Sequence, residues 1–472
     1  MTRKNRNLLR SMMLSIVTLF CGSGVIFGQW QPQPYYQHNQ QDASLVARAN
    51  INISPTFNGI QASEPQQHRA GGISSVSRQE YSRQSLTIAQ ICEIALQNNP
   101  SVVQATRLME AHYGSWVQAG LKNNPMVGYM AEEMGGANGA GRQGVAFSQE
   151  LISRGKRDAR QGAASAEYQA AQQTLAVQRQ KVVNDASLAA YRLLIAQQKE
   201  RLSQELLKIS ESATSAAHEL TQVMETPKTD YLQAKIERNR AQITRNDAMI
   251  ERETAAKALA VLLGYPAEVA LEITDTLDQL PMDIDENAVL HQLIANSPQM
   301  RQAHAEQEAA RARLCLEQKE AGINVSTEGS LAYNTFEKQT EVSVGVAIPL
   351  RIHHRNQGNI LKARSEWVAA ARNIERVEKA ITAEFLNRFA EYQTAKQRVA
   401  LYRESILSEV EESLQLTMQA YQHGQSSYVE LLSAQQTLFQ VKIEYLDSIA
   451  LLVTSSTKLN GYLLAGAFDR PE

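Results

Sequence analysis

The sequence predicts a mainly α chain with a small β part, built by duplication of one unit of helices and paired strands. Three observations predict it: a self-match at an offset near 200 residues, two pairs of short alternating segments, and helical runs of about sixty residues without Pro or Gly. Composition agrees. The 472 residues are 43% hydrophobic but only 6% aromatic, and 47 basic residues stand against 49 acidic ones. That balance carries no basic excess, so a nucleic-acid binder is not expected. Cys21, Cys92 and Cys315 supply neither a CxxC pair nor a disulfide framework.

In chain order, Arg3, Lys4, Arg6 and Arg10 precede an apolar run from Met12 to Phe27 and the small residues Gly24 and Gly28, which reads as a signal peptide over 1–28. The run is shorter than the roughly 20 residues a spanning helix needs. Phe20 is too large for the position before a lipidated cysteine, so Cys21 is not read as an anchor. Residues 29–84, rich in Gln, Pro, Ser and Asn, show no sustained period and read as a flexible arm. No later stretch stays apolar for 18 residues, so a membrane-inserted part must be made of strands.

The duplication pairs Asn99-Pro100 with Ser297-Pro298, Gly144-Val145-Ala146 with Gly345-Val346-Ala347, Tyr191 with Tyr392, Ala234 with Ala434 and Leu259 with Leu459. The first copy covers 85–265 and the second 286–466, with a connector over 266–285 and a tail over 467–472. Each copy is expected to run helix, two strands, very long helix, break, long helix. Ile323, Val325, Thr327, Leu331 and Tyr333 alternate with polar residues, as do Val342, Val344, Val346 and Ile348, predicting strands at about 323–335 and 340–350. The first-copy strands fall at about 123–134 and 141–152. From Asn359 to Tyr421 apolar residues recur at spacings of three and four, a coiled-coil-like stripe, matched in the first copy from about Asp158 to Val223. The breaks at Glu225-Thr226-Pro227 and His423-Gly424-Gln425 correspond. Helices of roughly 90 Å serve a wall or spacer better than a compact core. Four strands cannot close a membrane barrel, which starts at eight, so the edges are expected to be paired by further copies of the chain.

Together these features reach a resemblance. From about Leu86 to Gly466 the chain resembles the TolC-like outer membrane efflux family. Ser148-Gln149-Glu150 with Gly155-Lys156-Arg157, and Ile348-Pro349-Leu350 with Arg355-Asn356-Gln357-Gly358, are similar to the strand-to-helix corners of its heavy-metal, CzcC/CusC-like branch. Tyr421, Gly424, Ser427, Glu430, Leu431, Leu432, Ala434 and Gln435 resemble the family's hairpin turn at the periplasmic tip. The resemblance implies a homotrimer in outer membrane lipid, with a twelve-stranded β-barrel and a long α-helical barrel in the periplasm. It further implies a passive exit duct of a tripartite efflux system, partnered by a periplasmic adaptor (membrane fusion) protein and an inner-membrane pump of the RND type. Heavy-metal cations are the expected cargo. A multidrug, small-molecule or type I secretion duct is the alternative within that class, and a soluble periplasmic coiled-coil adaptor is the alternative outside it.

Residue roles follow. Pro349 would end a strand, Asn356 would cap a helix with its side-chain oxygen, and Gly358 would allow a tight turn. Arg355, Lys156 and Arg157 would lie near lipid headgroups. At the tip, Asp230, Tyr421, Gly424, Glu430 and Ser433 are gate candidates. Asp230 and Glu430 in three copies would make carboxylate rings favouring cations, and each also suits the first turn of its helix. Met224, Pro227 and Ser433 depart from the family pattern. Adjacent His353-His354 read as solvated rather than metal-binding, and Met126, Met130 and Met134 as an apolar stripe facing lipid or a neighbour, with thioether ligation the rarer reading. Glu132 and Glu133 point to opposite strand faces and cannot pair as acid and base. Cys92 and Cys315 sit at different repeat levels, so no disulfide is expected. With no GxSxG, HExxH or P-loop, neither an enzyme nor a cofactor is expected.

Overall fold

In each copy a cap-and-proline pair cuts the first helix in two, where one continuous helix was expected. Asn99 and Ser297 hold extended backbone, accept from Ser101 N and Met300 N respectively, and are followed by a proline that needs no donor at the first helical position. The computed structural model describes residues 84–135, 140–223, 227–277, 284–423 and 425–469. The expected signal peptide, the arm up to residue 83 and Gly424 lie outside the described residues. All described residues belong to one compact unit, Arg78–Glu472.

The first copy runs β1 (Gln84–Leu86), α1 (Ile88–Asn98), α2 (Pro100–Ala119), β2 (Met126–Glu132), β3 (Arg142–Leu151), α3 (Arg154–Gln222) and α4 (Lys228–Leu262). After β4 (Leu271–Ile273), the second runs α5 (Glu286–Asn296), α6 (Pro298–Glu320), β5 (Val325–Asn334), β6 (Gln339–Ala347), α7 (Gln357–Leu401), a π-helical turn (Tyr402–Ile406), α8 (Leu407–Gln422) and α9 (Tyr428–Asn460). β1 pairs in parallel with β4, a link between the start of the fold and the connector that these short segments do not announce in sequence. No described helix is long and apolar enough to cross a membrane.

The four longer strands form one antiparallel sheet in the order β2-β3-β5-β6. Its register sorts side chains into two faces, because the strand period is two. Tyr129, Val145, Leu331 and Val342 stand in one row, and Val127, Phe147, Gly329 and Val344 in the next, all on one face. The other face carries Met126-Ser148-Glu328-Gly345 and Glu132-Arg142-Asn334-Gln339. Arg142 bridges Glu132 at 3.3 Å and Glu341 at 2.8 Å, and the Ser330 and Ser343 hydroxyls meet at 2.5 Å, all on this polar face. The apolar face is open: Val344 is 83% exposed in the single chain. β2 and β6, the sheet's outer strands, pair on one side only.

α3 has 69 residues, about 100 Å at 1.5 Å each. Thr214 Oγ1 donates to the Ala234 carbonyl and Arg252 bonds Glu200, so α4 folds back along α3. The main core gathers where the middle of α3 (Val182, Ala186, Leu193) meets the end of α4 (Leu259, Leu263), α7 (Phe385, Tyr392, Val399) and α9 (Ile449, Leu452). Beyond Val399 the packing changes. The π turn follows, and among its described residues α8 contributes none that is fully buried.

The C-terminal segment is strapped to α3. Asn184 Nδ2 donates to the carbonyls of Gly461 (2.6 Å) and Leu464 (2.8 Å), and Asp185 accepts from Gly466 N and Ala467 N. Gly461 must be glycine here, because a Cβ would collide with the Asn184 amide. Tyr462 and Leu463 hold left-handed φ of 59° and 61° within this strap.

Candidate functional site

Two places carry the residues singled out in sequence: the corners between strands and long helices, and the far turns of the helical hairpins.

At the first corner Lys156 is not directed at headgroups. It is 3% exposed, donates from Nζ to Asn324 Oδ1 at 2.7 Å, and lies 3.6 Å from Glu320, which also receives Arg160 at 2.5 Å. The side chain covers Gly322, where an added Cβ would come within 3.1 Å of its Cε. Arg157 is half-buried and Gly155 lies in the first turn of α3 with open space around it.

The second corner works differently from the sequence expectation. β6 ends at Ala347, two residues before Pro349, so the proline follows the ladder rather than interrupting it. Asn356 does not cap a backbone amide of the helix: its φ is +60°, its Oδ1 accepts from the Asn359 side chain at 2.8 Å, and its Nδ2 donates to the carbonyl of Glu317 at 2.9 Å and to the Glu317 carboxylate at 2.5 Å. Asparagine tolerates this left-handed conformation better than most residues. The turn is therefore made by Asn356, while Gly358 sits inside α7 with open space where a Cβ would stand. Gln357 reaches back instead, its Oε1 accepting from Arg355 N at 2.9 Å. Arg355 itself is exposed. Both corners thus grip the end of α6, through Glu320 and Glu317.

At the tip, Glu430 completes a capping box. Ser427 Oγ accepts from Glu430 N at 3.3 Å, and the Glu430 carboxylate accepts from Ser427 N at 3.2 Å and from Ser426 Oγ at 2.5 Å. The Ser426 hydroxyl, then the Ser427 amide, hold this carboxyl below the ordinary carboxylate value. Glu430 and exposed Ser433 line a groove of about 610 Å³ between α8 and α9 with Ser413, Thr417 and Thr437. Asp230 is also a first-turn residue, but α4 starts at Pro227 without a side-chain cap.

The structure brings Asp230 near two tyrosines. Tyr421 and Tyr428 meet edge-on with ring centroids 6.1 Å apart. Burial, with Asp230 adding to it, raises the Tyr421 phenol. Burial first, then Glu237, Tyr421 and Asp230, push Tyr428 up to about 12. Tyr428 packs with Ala217 and Ala234, so one ring from the second copy seals the small-residue seam of the first copy's hairpin. Sequence reasoning passed over Tyr428; the signal was an aromatic residue directly after the Ser427 cap, where the flanking positions are small or polar.

Among the described residues no group of three or more His, Cys, Asp or Glu is placed to hold a metal. His353 and His354 are exposed. Cys92 and Cys315 are free; Cys92 lies 3.1 Å from Ser187 Oγ, and burial raises its thiol. Two strand readings change. Met126 and Met130 lie on the polar face, not on the apolar one. Glu133 has a φ of 56° just past the end of β2, so strand alternation does not place it or Met134.

A family model described as outer membrane efflux protein matches residues 91–265 and 289–463. The cobalt-zinc-cadmium resistance protein CzcC of Cupriavidus metallidurans is 24% identical over 378 residues, which cover 80% of this chain and 90% of that protein. Among solved structures the fold is similar to that of CusC, with a TM-score of 0.66 at 17% identity over 82% of this chain and 96% of that one. A Pseudomonas aeruginosa membrane protein gives 0.68 at 19% identity, with 80% and 92% covered. VceC of Vibrio cholerae gives 0.65 at 18%, with 80% and 96% covered.

Proposed function

The chain belongs to the outer membrane efflux protein family, and from that premise we propose that it is the exit duct of a tripartite efflux system, working as a homotrimer. The observation that carries the reading is the four-stranded sheet, which has one apolar face, one polar face and both outer strands open, at the head of long helical hairpins. Three copies supply twelve strands, enough to close a barrel with lipid outside and water inside. Below it, α4 leaves Leu232, Ile236, Ile243 and Ile250 exposed at spacings of four and seven, a seam for a neighbouring copy's helix.

In this reading the duct is passive. An inner-membrane pump of the RND type supplies energy, a periplasmic adaptor docks on the helical tip, and the tip helices untwist when the adaptor favours the open state. Asp230, Tyr421, Gly424, Glu430 and Ser433 form the gate region. Three copies of the exposed Glu430 carboxylate would favour cations at the constriction. Heavy-metal cations are the proposed cargo, supported by the relative whose name ties it to cobalt, zinc and cadmium resistance.

Membrane fractionation and sizing of the detergent-extracted chain test the duct; a soluble monomer would end it. Metal tolerance of a deletion strain tests the cargo. Unchanged tolerance to cobalt, zinc, cadmium, copper and silver, with lost tolerance to organic drugs, would replace metal by small molecules.

A further inference from the structure

We propose that the polar face of the strand sheet carries a thioether path for soft monovalent cations of the copper(I) and silver(I) class, with Met126 and Glu328 as its inner station and Met130 as its outer one. The inference rests on the duct reading above and deepens it by naming the cargo class.

Register carries the argument. Apolar side chains of β2, Val127 and Tyr129, share a face with Val145, Phe147, Leu331 and Val344. Met126 and Met130 stand on the opposite face, whose other members are Ser, Gly, Ala, Glu, Arg, Asn and Gln. Contact with lipid therefore does not account for them. Met126 is 68% exposed there.

The surroundings suit an ion. In the Met126 row the sequence across the sheet is Met126, Ser148, Glu328, Gly345. Met126 and Glu328 are two strands apart, about 9.6 Å, and the small Ser148 lies between them. Both side chains are long and exposed, so a thioether and a carboxylate can lean toward one cation over the serine. On β2, Gly128 keeps the face clear between the methionines, and Met130 stands beside Gly144. Four residues of strand separate the two sulfurs' positions by about 13 Å.

The chemistry selects the ion. A thioether is a neutral, soft donor that favours soft cations over hard ones. It needs no deprotonation, and a single thioether with one carboxylate binds weakly enough to release, as conduction requires. The polar face also carries Glu132, Glu150, Glu328 and Glu341 against one cation, Arg142, so its field is negative.

The test uses the full chain in detergent micelles with 13C-methyl methionine, titrated with silver nitrate in chloride-free buffer and, separately, with zinc acetate. The Met126 and Met130 methyl resonances are expected to shift with silver at concentrations at least tenfold below those that move Met418, an exposed methionine on α8. Zinc is expected to leave them in place. Met126→Leu and Met130→Leu, each near-isosteric, should each remove only its own resonance, and Glu328→Gln should weaken the silver response of Met126 alone. Titration of Met126 and Met130 together with or after Met418, or equal shifts with zinc, would overturn the proposal. Failure of the duct reading would appear elsewhere, as a soluble monomer on fractionation, so the two failures are distinguishable.

Discussion

Lys156 of the first copy donates to Asn324 of the second at 2.7 Å, fastening the start of the first long helix to the loop that leads into β5. The ammonium is almost fully buried and Glu320 is its counter-charge. Removing it leaves Glu320 with Arg160 alone and the Asn324 amide oxygen short of a donor, while Gly322 loses its cover. Lys156→Ala is expected to lower stability by about 1–3 kcal/mol. The readout is the unfolding midpoint of the extracted protein. A variant that melts with the wild type would reduce the corner to decoration.

Glu430 links the tip to pH. Its folded value is held below the ordinary 4.5 by Ser426 and Ser427. A depressed carboxylate contributes stability that is complete above the unfolded value and is lost as pH falls through the folded one. The cap of α9 is therefore expected to be intact at neutral pH and to release only below pH 4.5. Ser426→Ala should move the Glu430 titration, followed by carboxyl 13C shifts, upward toward 4.5. An unmoved titration would mean that the hydroxyl does not hold the carboxylate.

These two sites also mark what could and could not be read from sequence. The strands were legible because alternation leaves a period-two trace: the stretch expected at 323–335 runs Val325–Asn334 and that at 141–152 runs Arg142–Leu151. The long helices were legible because Pro and Gly are missing from Ala163 to Gln222 and from Asn359 to Tyr421. What escaped was set by partners distant in sequence. Lys156 reads as a surface cation until Glu320 and Asn324, over 160 residues away, are brought to it. Asn356 reads as an N-cap because the role is common for asparagine, yet Glu317 claims its amide and the backbone turns left-handed. Met126 and Met130 were assigned to the wrong face because periodicity gives the two faces but not which of them a thioether prefers.

Tyr428 is expected to hold the tip hairpins together. It is 5% exposed and closes a cluster otherwise made of Ala217 and Ala234, with Tyr421 and Tyr231 around it. Tyr428→Ala should cost about 3 kcal/mol by leaving a cavity the alanines cannot fill. Hydrogen exchange should then rise at both ends of the break between α8 and α9. The phenol itself provides a second check. Its value of about 12 lies above the ordinary 10, so the associated stability is complete below pH 10 and is lost as pH rises from there toward 12. Ultraviolet titration of the wild type against Tyr428→Phe isolates it; a phenol ionising at pH 10 would place Tyr428 in water.

The sheet's two faces give opposite expectations for adjacent residues. Val344 points to the apolar side and Ser343 to the polar side, opposite Gly329 and Ser330 respectively. In a closed barrel an arginine facing lipid near the midplane costs about 2–4 kcal/mol, whereas one facing the lumen is hydrated. Val344→Arg in each of three copies triples the penalty for the assembly, so heat-resistant oligomer in the membrane fraction should fall sharply. Ser343→Arg loses only the hydroxyl contact with Ser330 and should assemble near wild-type levels while reducing cation conductance, because it adds three positive charges to the pore. If the two substitutions exchanged outcomes, the apolar face would line the lumen, and the assignment of Met126, Met130 and Glu328 to the water-filled side would fall with it.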